Sequence, residues 1–270
     1  MTDQVQIPGV APAEPLGEPL YGGLEDGRVW RVGDTVRRPA GDWTPTIHAL
    51  LRHLRRQGFA APEPLGLDGL GREILSFLPR RAGLWPWPEA QKTESGARQV
   101  GELLAAYHRA ARGFAAPSPA VWRHGPQALA PGEIVLHGDF GPYNILWDDL
   151  RPCGVIDFEL ARPGDPLEDA AFAAIRIAPL RPDAALEKIG FSAPPDRRAR
   201  LVAFAEGYGV DPAVLLSRIL PTQLAELRRI EAWGGASLEP WATFLRKGLA
   251  EEVRAELAWM NAHLGALTAG

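Results

Sequence analysis

The first readable pattern in the chain is alternation. Arg28-Val29-Trp30-Arg31-Val32 and Thr35-Val36-Arg37-Arg38 alternate in polarity and are set apart by glycines, as short strands joined by a turn are. Thr44 before Pro45 then marks a helix start, and Ile47, Leu50, Leu51 and Leu54 recur at helical spacing until Gly58, which is placed to end the helix. Strand character returns over 65–67 and 73–77, and the stretch 79–88 is rich in proline, glycine and tryptophan. This predicts a small antiparallel sheet with one covering helix, followed by a boundary.

Beyond the boundary the period changes. Val100, Leu103, Leu104 and Tyr107 make an apolar stripe on a helix over 96–112. Short apolar runs at 134–136, 144–147 and 155–156 each stop at a polar or turn residue, as strands stop at a site. From Pro166 the pattern is helical to the end, with Pro212, Pro221 and Pro240 at first-turn positions of successive helices. The fold class predicted is α+β: a flexible lead-in over 1–19, a small sheet-bearing lobe over 20–79 and a larger, mostly helical lobe over 80–270.

Composition narrows the function classes. With 270 residues and a net charge of -4, the chain has the size for two packed lobes and lacks the excess of lysine and arginine that a nucleic-acid backbone demands. No apolar run is long enough to span a membrane, and 1–19 carries acids and prolines where a signal peptide has a basic start and an apolar stretch, so a cytoplasmic protein is expected. Oligomeric state leaves no mark. The single cysteine, Cys153, excludes an intrachain disulfide and is expected in a turn between Pro152 and Gly154.

The chemistry is concentrated in two segments, His137-Gly138-Asp139-Phe140-Gly141-Pro142-Tyr143-Asn144 and Val155-Ile156-Asp157-Phe158-Glu159. Together they bring two carboxylates and a carboxamide onto adjoining loops. Magnesium prefers hard oxygen ligands of the kind Asp157 and Asn144 offer. An acceptor hydroxyl needs a group to orient it and take its proton, which Asp139 can supply.

The pattern His-Gly-Asp, four residues, Asn, then Ile-Asp-Phe/Trp-Glu resembles the aminoglycoside phosphotransferase and choline kinase family, the small-molecule branch of the protein-kinase-like fold. The resemblance is concentrated over 133–172. It implies a two-lobed fold, magnesium, and transfer of the terminal phosphoryl of ATP or GTP to a small hydroxylated acceptor such as an antibiotic, a natural product or an amino alcohol. It further implies that Asp139 is the base, that Asn144 and Asp157 hold the metal, and that His137 braces the loop. Gly164-Asp165-Pro166 and Asp169 continue the likeness, with Asp169 a supporting residue at a helix start.

The nucleotide side is read from order and register. Gly22 and Gly23 lie where a loop would cover the phosphates, without a G-x-G-x-x-G pattern, and Ser76, Phe77 and Leu78 lie where the hinge would meet the base through its backbone. Where kinases pair a strand lysine with a helix glutamate, this chain has Arg37 and Arg38 on the strand and His48 on the helix. The resemblance implies that the basic residue stands one position before the residue preceding Pro39, which places Arg37 toward the phosphates. An amine-bearing acceptor would call for an electronegative surface on the second lobe. His53, His108, His124 and His263 show no metal-ligand spacing and are expected at the surface or in packing; Trp85, Trp87, Trp233 and Trp241 could line a substrate pocket, with core packing the leading expectation.

Overall fold

In the computed structural model, which describes residues 17–20 and 29–268, alternation has become a sheet. Strands β1 (Glu18–Pro19), β2 (Trp30–Val32) and β3 (Thr35–Pro39) are followed by helix α1 (Thr44–Arg56), then β4 (Pro64–Leu67) and β5 (Arg72–Ser76). The five strands form one antiparallel sheet in the order β1-β2-β3-β5-β4. Helix α1 carries the chain from β3 to β4 and buries the expected Ile47, Leu50, Leu51 and Leu54. Just beyond its end, Gly58 takes the left-handed φ of +78° that glycine tolerates. Gly22 and Gly23 lie outside the described residues.

The sheet register decides which side chains face inward. Across β3 and β5, Val36 lies opposite Leu75, Arg37 opposite Ile74 and Arg38 opposite Glu73. Because successive side chains alternate, Val36, Arg38, Glu73 and Leu75 share one face. That face is the inner one, since Leu75 is buried and Val36 packs on the same core as α1.

The rest of the chain runs through β6 (Arg81–Ala82), α2 (Glu94–Ala111), β7 (Val121–Trp122), β8 (Gly125–Pro126), β9 (Ile134–Leu136), β10 (Ile145–Asp148), β11 (Arg151–Val155) and β12 (Arg162–Gly164). Helices α3 (Pro166–Ile177), α4 (Arg197–Tyr208), α5 (Pro212–Gly235), α6 (Trp241–Arg246) and α7 (Leu249–Thr268) complete it. β6 pairs with β10 rather than with the first sheet, β10 and β11 make a hairpin, and β9 pairs with β12. One apolar core joins Ile47 and Leu50 of α1 to Leu104 and Tyr107 of α2 and Phe204 of α4. The cleft residues stand on the ends of elements anchored in that core.

Two sequence expectations change here. Pro221 lies inside α5 rather than opening a helix. Lacking an N–H, it leaves the Ser217 carbonyl without its usual helical donor, so tertiary packing carries the helix past it. Cys153 lies in strand β11, not in a turn, where a register shift opposite Leu146 and Trp147 accommodates the Pro152-Cys153-Gly154 sequence.

Candidate active site

Strand β9 ends at Leu136 and delivers His137, Gly138 and Asp139 into the cleft. The buried His137 ring donates from Nε2 to the Ile156 carbonyl (3.0 Å) and accepts at Nδ1 from the Asp139 N–H (3.3 Å), which fixes its tautomer. Burial holds its pKa below the ordinary value. Gly138 has φ +79°, and a Cβ there would lie 2.1 Å from the Leu160 carbonyl oxygen, so only glycine fits.

Asp169, in the first turn of α3, secures this loop from beneath. It accepts the N–H groups of His137 (2.7 Å) and Gly138 (3.1 Å), and His108 of α2 lies 3.3 Å away. Burial works to raise its pKa, but hydrogen bonding and charge from His108 and His137 hold it below the usual carboxylate range. The His108 ring also meets the Tyr208 hydroxyl at 2.8 Å. His108 is thus part of the loop's support, and nothing local in the sequence marks it.

Both oxygens of Asp139 are held. Asn144 Nδ2 donates to Oδ2 (3.0 Å) and to the Asp139 carbonyl (2.9 Å), while the Tyr143 hydroxyl donates to Oδ1 (2.5 Å). Burial above all, with Asp157 and Glu226 adding, pushes the Asp139 pKa up to about 7 against the opposing pull of Tyr143 and Arg176. The Asn144 amide oxygen is turned to the opposite edge from its engaged Nδ2. The Ile156 N–H bonds to the Asn144 carbonyl (3.0 Å) and so ties the two loops together. Asp157 then takes a left-handed backbone (φ 65°, ψ 64°) that a non-glycine residue adopts only when its surroundings impose it, and its carboxyl remains 46% exposed.

The cation beside Asp157 is Arg38, which corrects the expectation for Arg37. Arg38 Nη1 donates to Asp157 Oδ1 (2.7 Å), its Nε donates to Glu73 Oε1, and Glu159 lies 3.8 Å away. Burial works against the Arg38 charge, but Glu73 and Asp157 more than offset it and hold its pKa above the ordinary value. Arg37 is on the outer face, where it bonds the Thr35 hydroxyl (2.5 Å) and lies 3.6 Å from Asp68. The physical reason is the parity of β3: Val36 is apolar and faces the core, so Arg38 does too. His48 Nε2 donates to Glu73 Oε2 at 3.0 Å, so the helix histidine steadies a carboxylate that the neighbouring strand supplies.

In the segment 76–78, the Ser76 N–H bonds to the Glu63 carbonyl (2.9 Å) and the Phe77 N–H to that of Asp34 (2.8 Å). Those donors are committed within the protein. The Leu78 carbonyl is committed as well, accepting the Arg80 N–H (2.8 Å).

On the side of Asp139 away from the sheet, the wall is built of paired charges. Arg162 and Arg229 both bond Glu168, and Arg229 also bonds Glu226 (2.8 Å). His124 lies against Trp233 and Trp241, and burial, followed by the charges of Arg162 and Arg229, lowers its pKa to about 4. The wall is therefore neither uniformly negative nor purely aromatic. Trp233 packs edge-on against Trp241 at 4.4 Å, Trp87 packs with Leu186, Ile189 and Phe191, and Trp85 is exposed.

A small antiparallel sheet, a covering helix and a helical body with Asp139, Asn144 and Asp157 at its strand ends define the protein-kinase-like fold. The profile of the phosphotransferase enzyme family matches residues 18–131 and 118–201, and the chain belongs to that family. It is 35% identical over 188 residues to the trifolitoxin immunity protein of Rhizobium leguminosarum bv. trifolii, covering 67% of this chain and 70% of that one. It is 29% identical over 170 residues to the homoserine kinase of Sinorhizobium medicae, covering 46% and 49% of the two chains, so it spans about half the length of that relative. Among solved structures it resembles a choline/ethanolamine kinase family protein from Mesorhizobium loti (TM-score 0.52, 17% identity, 98% and 92% of the two chains covered). It also resembles amicoumacin kinase (TM-score 0.55, 12% identity, 89% of each chain). At these identities the structures speak for the fold, and the sequence matches speak for the family.

Proposed function

We propose that the chain transfers the terminal phosphoryl group of ATP or GTP to a hydroxyl of a small molecule. One observation carries the reading: Asp139 and Asn144 are hydrogen-bonded to each other, and Asp157 is presented into the same cleft on a loop tied to Asn144 through the Ile156 amide. Asp139 is the base that orients the acceptor hydroxyl and takes its proton, and a pKa near neutrality suits that work.

Asn144 and Asp157 are the residues that would hold magnesium. Two hard oxygen donors are the small protein share that magnesium takes when phosphates and water complete its shell. When bound, magnesium neutralises charge on the phosphate oxygens. Arg38, already at Asp157, brings a planar fork within reach of the same place. The loop at Gly22 and Gly23 covers the phosphates in this reading, and 76–78 meets the base, with the nucleotide held by 20–79 and the acceptor by 80–270.

The proposed acceptors are an antibiotic, a natural product or an amino alcohol; the likeness to homoserine kinases adds a hydroxylated amino acid. A cytoplasmic location goes with the proposal; no helix among the described residues is long and apolar enough to cross a membrane. The match to an immunity protein favours a second reading, a binding protein on this fold that sequesters its ligand without turnover. The intact Asp139, Asn144 and Asp157 count against it.

A transfer assay with Mg-ATP and Mg-GTP against a panel of alcohols, antibiotics and hydroxy amino acids tests both readings. Transfer by the wild type, lost in Asp139→Ala with nucleotide binding kept and weakened in Asp157→Ala together with Mg-ATP affinity, supports the phosphotransferase. Ligand binding without transfer by the wild type establishes the second reading.

A further inference from the structure

The loop that presents Asp139 folds back on itself. The Gly141 N–H bonds the Asp139 carbonyl (2.7 Å), the Asn144 N–H bonds the Gly141 carbonyl (3.0 Å), and the turn over 142–144 brings the Tyr143 ring back across Gly141. A Cβ on Gly141 would lie 2.4 Å from Tyr143 Cζ and 2.8 Å from its hydroxyl oxygen. The φ of Gly141 is -99°, which any residue accepts. Glycine is required there because the tyrosine ring lies over it, and the ring lies there to put its hydroxyl on Asp139 Oδ1.

The tyrosine has its own support. The charge of Arg176 of α3 acts on the Tyr143 phenol, and Arg176 is itself placed by the Phe172 ring, 3.4 Å from its Cζ, and by the Phe172 carbonyl (3.3 Å). Arg176 is not clamped by an acid, since no ion pair to it occurs among the described residues.

We propose that Tyr143 is a positioning residue for phosphoryl transfer, with Arg176 supporting it through its charge: Tyr143 fixes the Asp139 carboxylate toward the acceptor while Asn144 holds its other oxygen. With one oxygen tied to each neighbour, the carboxylate cannot turn about its own bond, and two lone-pair positions remain to receive the acceptor. This rests on the assignment of Asp139 as the base. Misplacing a reacting group by about 1 Å costs on the order of 100-fold in rate, so loss of the clamp shows in turnover rather than in nucleotide affinity.

The test needs no knowledge of the acceptor, because water can take its place. Phosphate release from Mg-ATP and Mg-GTP is measured for the wild type, Tyr143→Phe, Gly141→Ala, Tyr143→Ala and the double variant Gly141→Ala/Tyr143→Ala, with Arg176→Gln and Arg176→Lys alongside. Tyr143→Phe and Gly141→Ala are expected to lower kcat about 10- to 100-fold with KM for the nucleotide unchanged. Gly141→Ala adds nothing once the ring is gone, and Arg176→Lys keeps more turnover than Arg176→Gln. A rise of KM in step with the loss of kcat, or additive losses in the double variant, overturns the proposal. A crystal structure of Tyr143→Phe gives a second measurement: a turned or divided Asp139 carboxylate supports the clamp, and an unchanged one overturns it. If the wild type releases no phosphate to water from either nucleotide, the same variants are compared in transfer to the acceptor panel, and the phosphotransferase reading falls only if transfer is absent there too; the crystal structure decides independently whether Tyr143 holds Asp139.

Discussion

Arg38 and Arg176 approach the cleft from the sheet and from helix α3, and they are held in different ways. Arg38 is locked by hydrogen bonds to Glu73 and Asp157, with His48 completing the shell of Glu73. Arg176 has a ring face, a carbonyl and a phenol around it, and feels Glu226 and Glu256 only through the field they set up. In the first arrangement the charges compensate one another, so each member depends on the others for its stability. In the second the cation is free to act on its neighbours, and its effect reaches Asp139. The cleft thus has a side built on paired charge and a side built on orientation.

Breaking the paired side gives the largest effect. Arg38→Ala leaves Glu73, whose side chain is 2% exposed, without its main counter-charge. Removing one partner of a buried pair costs about 3–5 kcal/mol. Urea unfolding at pH 7 measures this, and nucleotide binding to the folded fraction is expected to fall with it. Arg38→Lys keeps the charge but not the fork that spans Glu73 and Asp157, so it recovers stability better than affinity. A loss under about 1 kcal/mol for Arg38→Ala would show that the two sides do not differ as described.

The orientation side responds to pH. Asp139 takes up a proton near pH 7 in the folded protein and near 3.8 when unfolded, so the folded state binds the extra proton between those values. Its contribution therefore favours folding increasingly as pH falls from about 7 toward 4, and above pH 7 the ionised group opposes folding. Asp139→Asn removes that opposition. The variant is expected to lose transfer yet to be more stable than the wild type at pH 8, by an amount of order 2 kcal/mol once the half-buried group's access to solvent is allowed for. The gain shrinks toward pH 5. Equal unfolding midpoints for the two proteins at pH 8 would show that burial does not strain Asp139.

The two sides were not equally legible in the sequence. Asp139, Asn144 and Asp157 stand in two short segments whose spacing is set by local backbone, so the motif carried its own geometry. The partners that act across the fold left no such mark: Glu73 reaches Arg38 only because β5 pairs beside β3, and His108 reaches Asp169 only because α2 passes beneath α3. Tyr143 and Arg176 are separated by the β10–β11 hairpin, by β12 and by nearly the whole of α3. The parity of β3 was available, because Val36 is its apolar residue and Arg38 must share the Val36 face. The family pattern ending at Pro39 pointed instead to Arg37, and the alternation was the stronger physical signal. Pro221 misled because a proline marks a helix start only when no packing carries the helix past it.

The smallest expected effect is the one that tests this parity. Arg37 stands on the outer face, 3.6 Å from Asp68 and bonded to Thr35. Asp68 has other donors: the Arg72 side chain at 2.7 Å and the N–H groups of Leu70 (3.0 Å) and Arg72 (2.9 Å). Burial tends to raise the Asp68 pKa, and the Arg72 and Leu70 hydrogen bonds hold it below the usual range without help from Arg37. Arg37→Ala therefore leaves no orphaned charge and is expected to change stability by about 0–1 kcal/mol. Because its side chain points away from Asp157, KM for the nucleotide and kcat should both stay within about twofold of the wild type, a shift under about 0.5 kcal/mol. Steady-state kinetics on Arg37→Ala and Arg38→Ala side by side decide the matter. A large rise in KM for Arg37→Ala with little change for Arg38→Ala would reverse the two faces of the strand and return the phosphate-side role to Arg37.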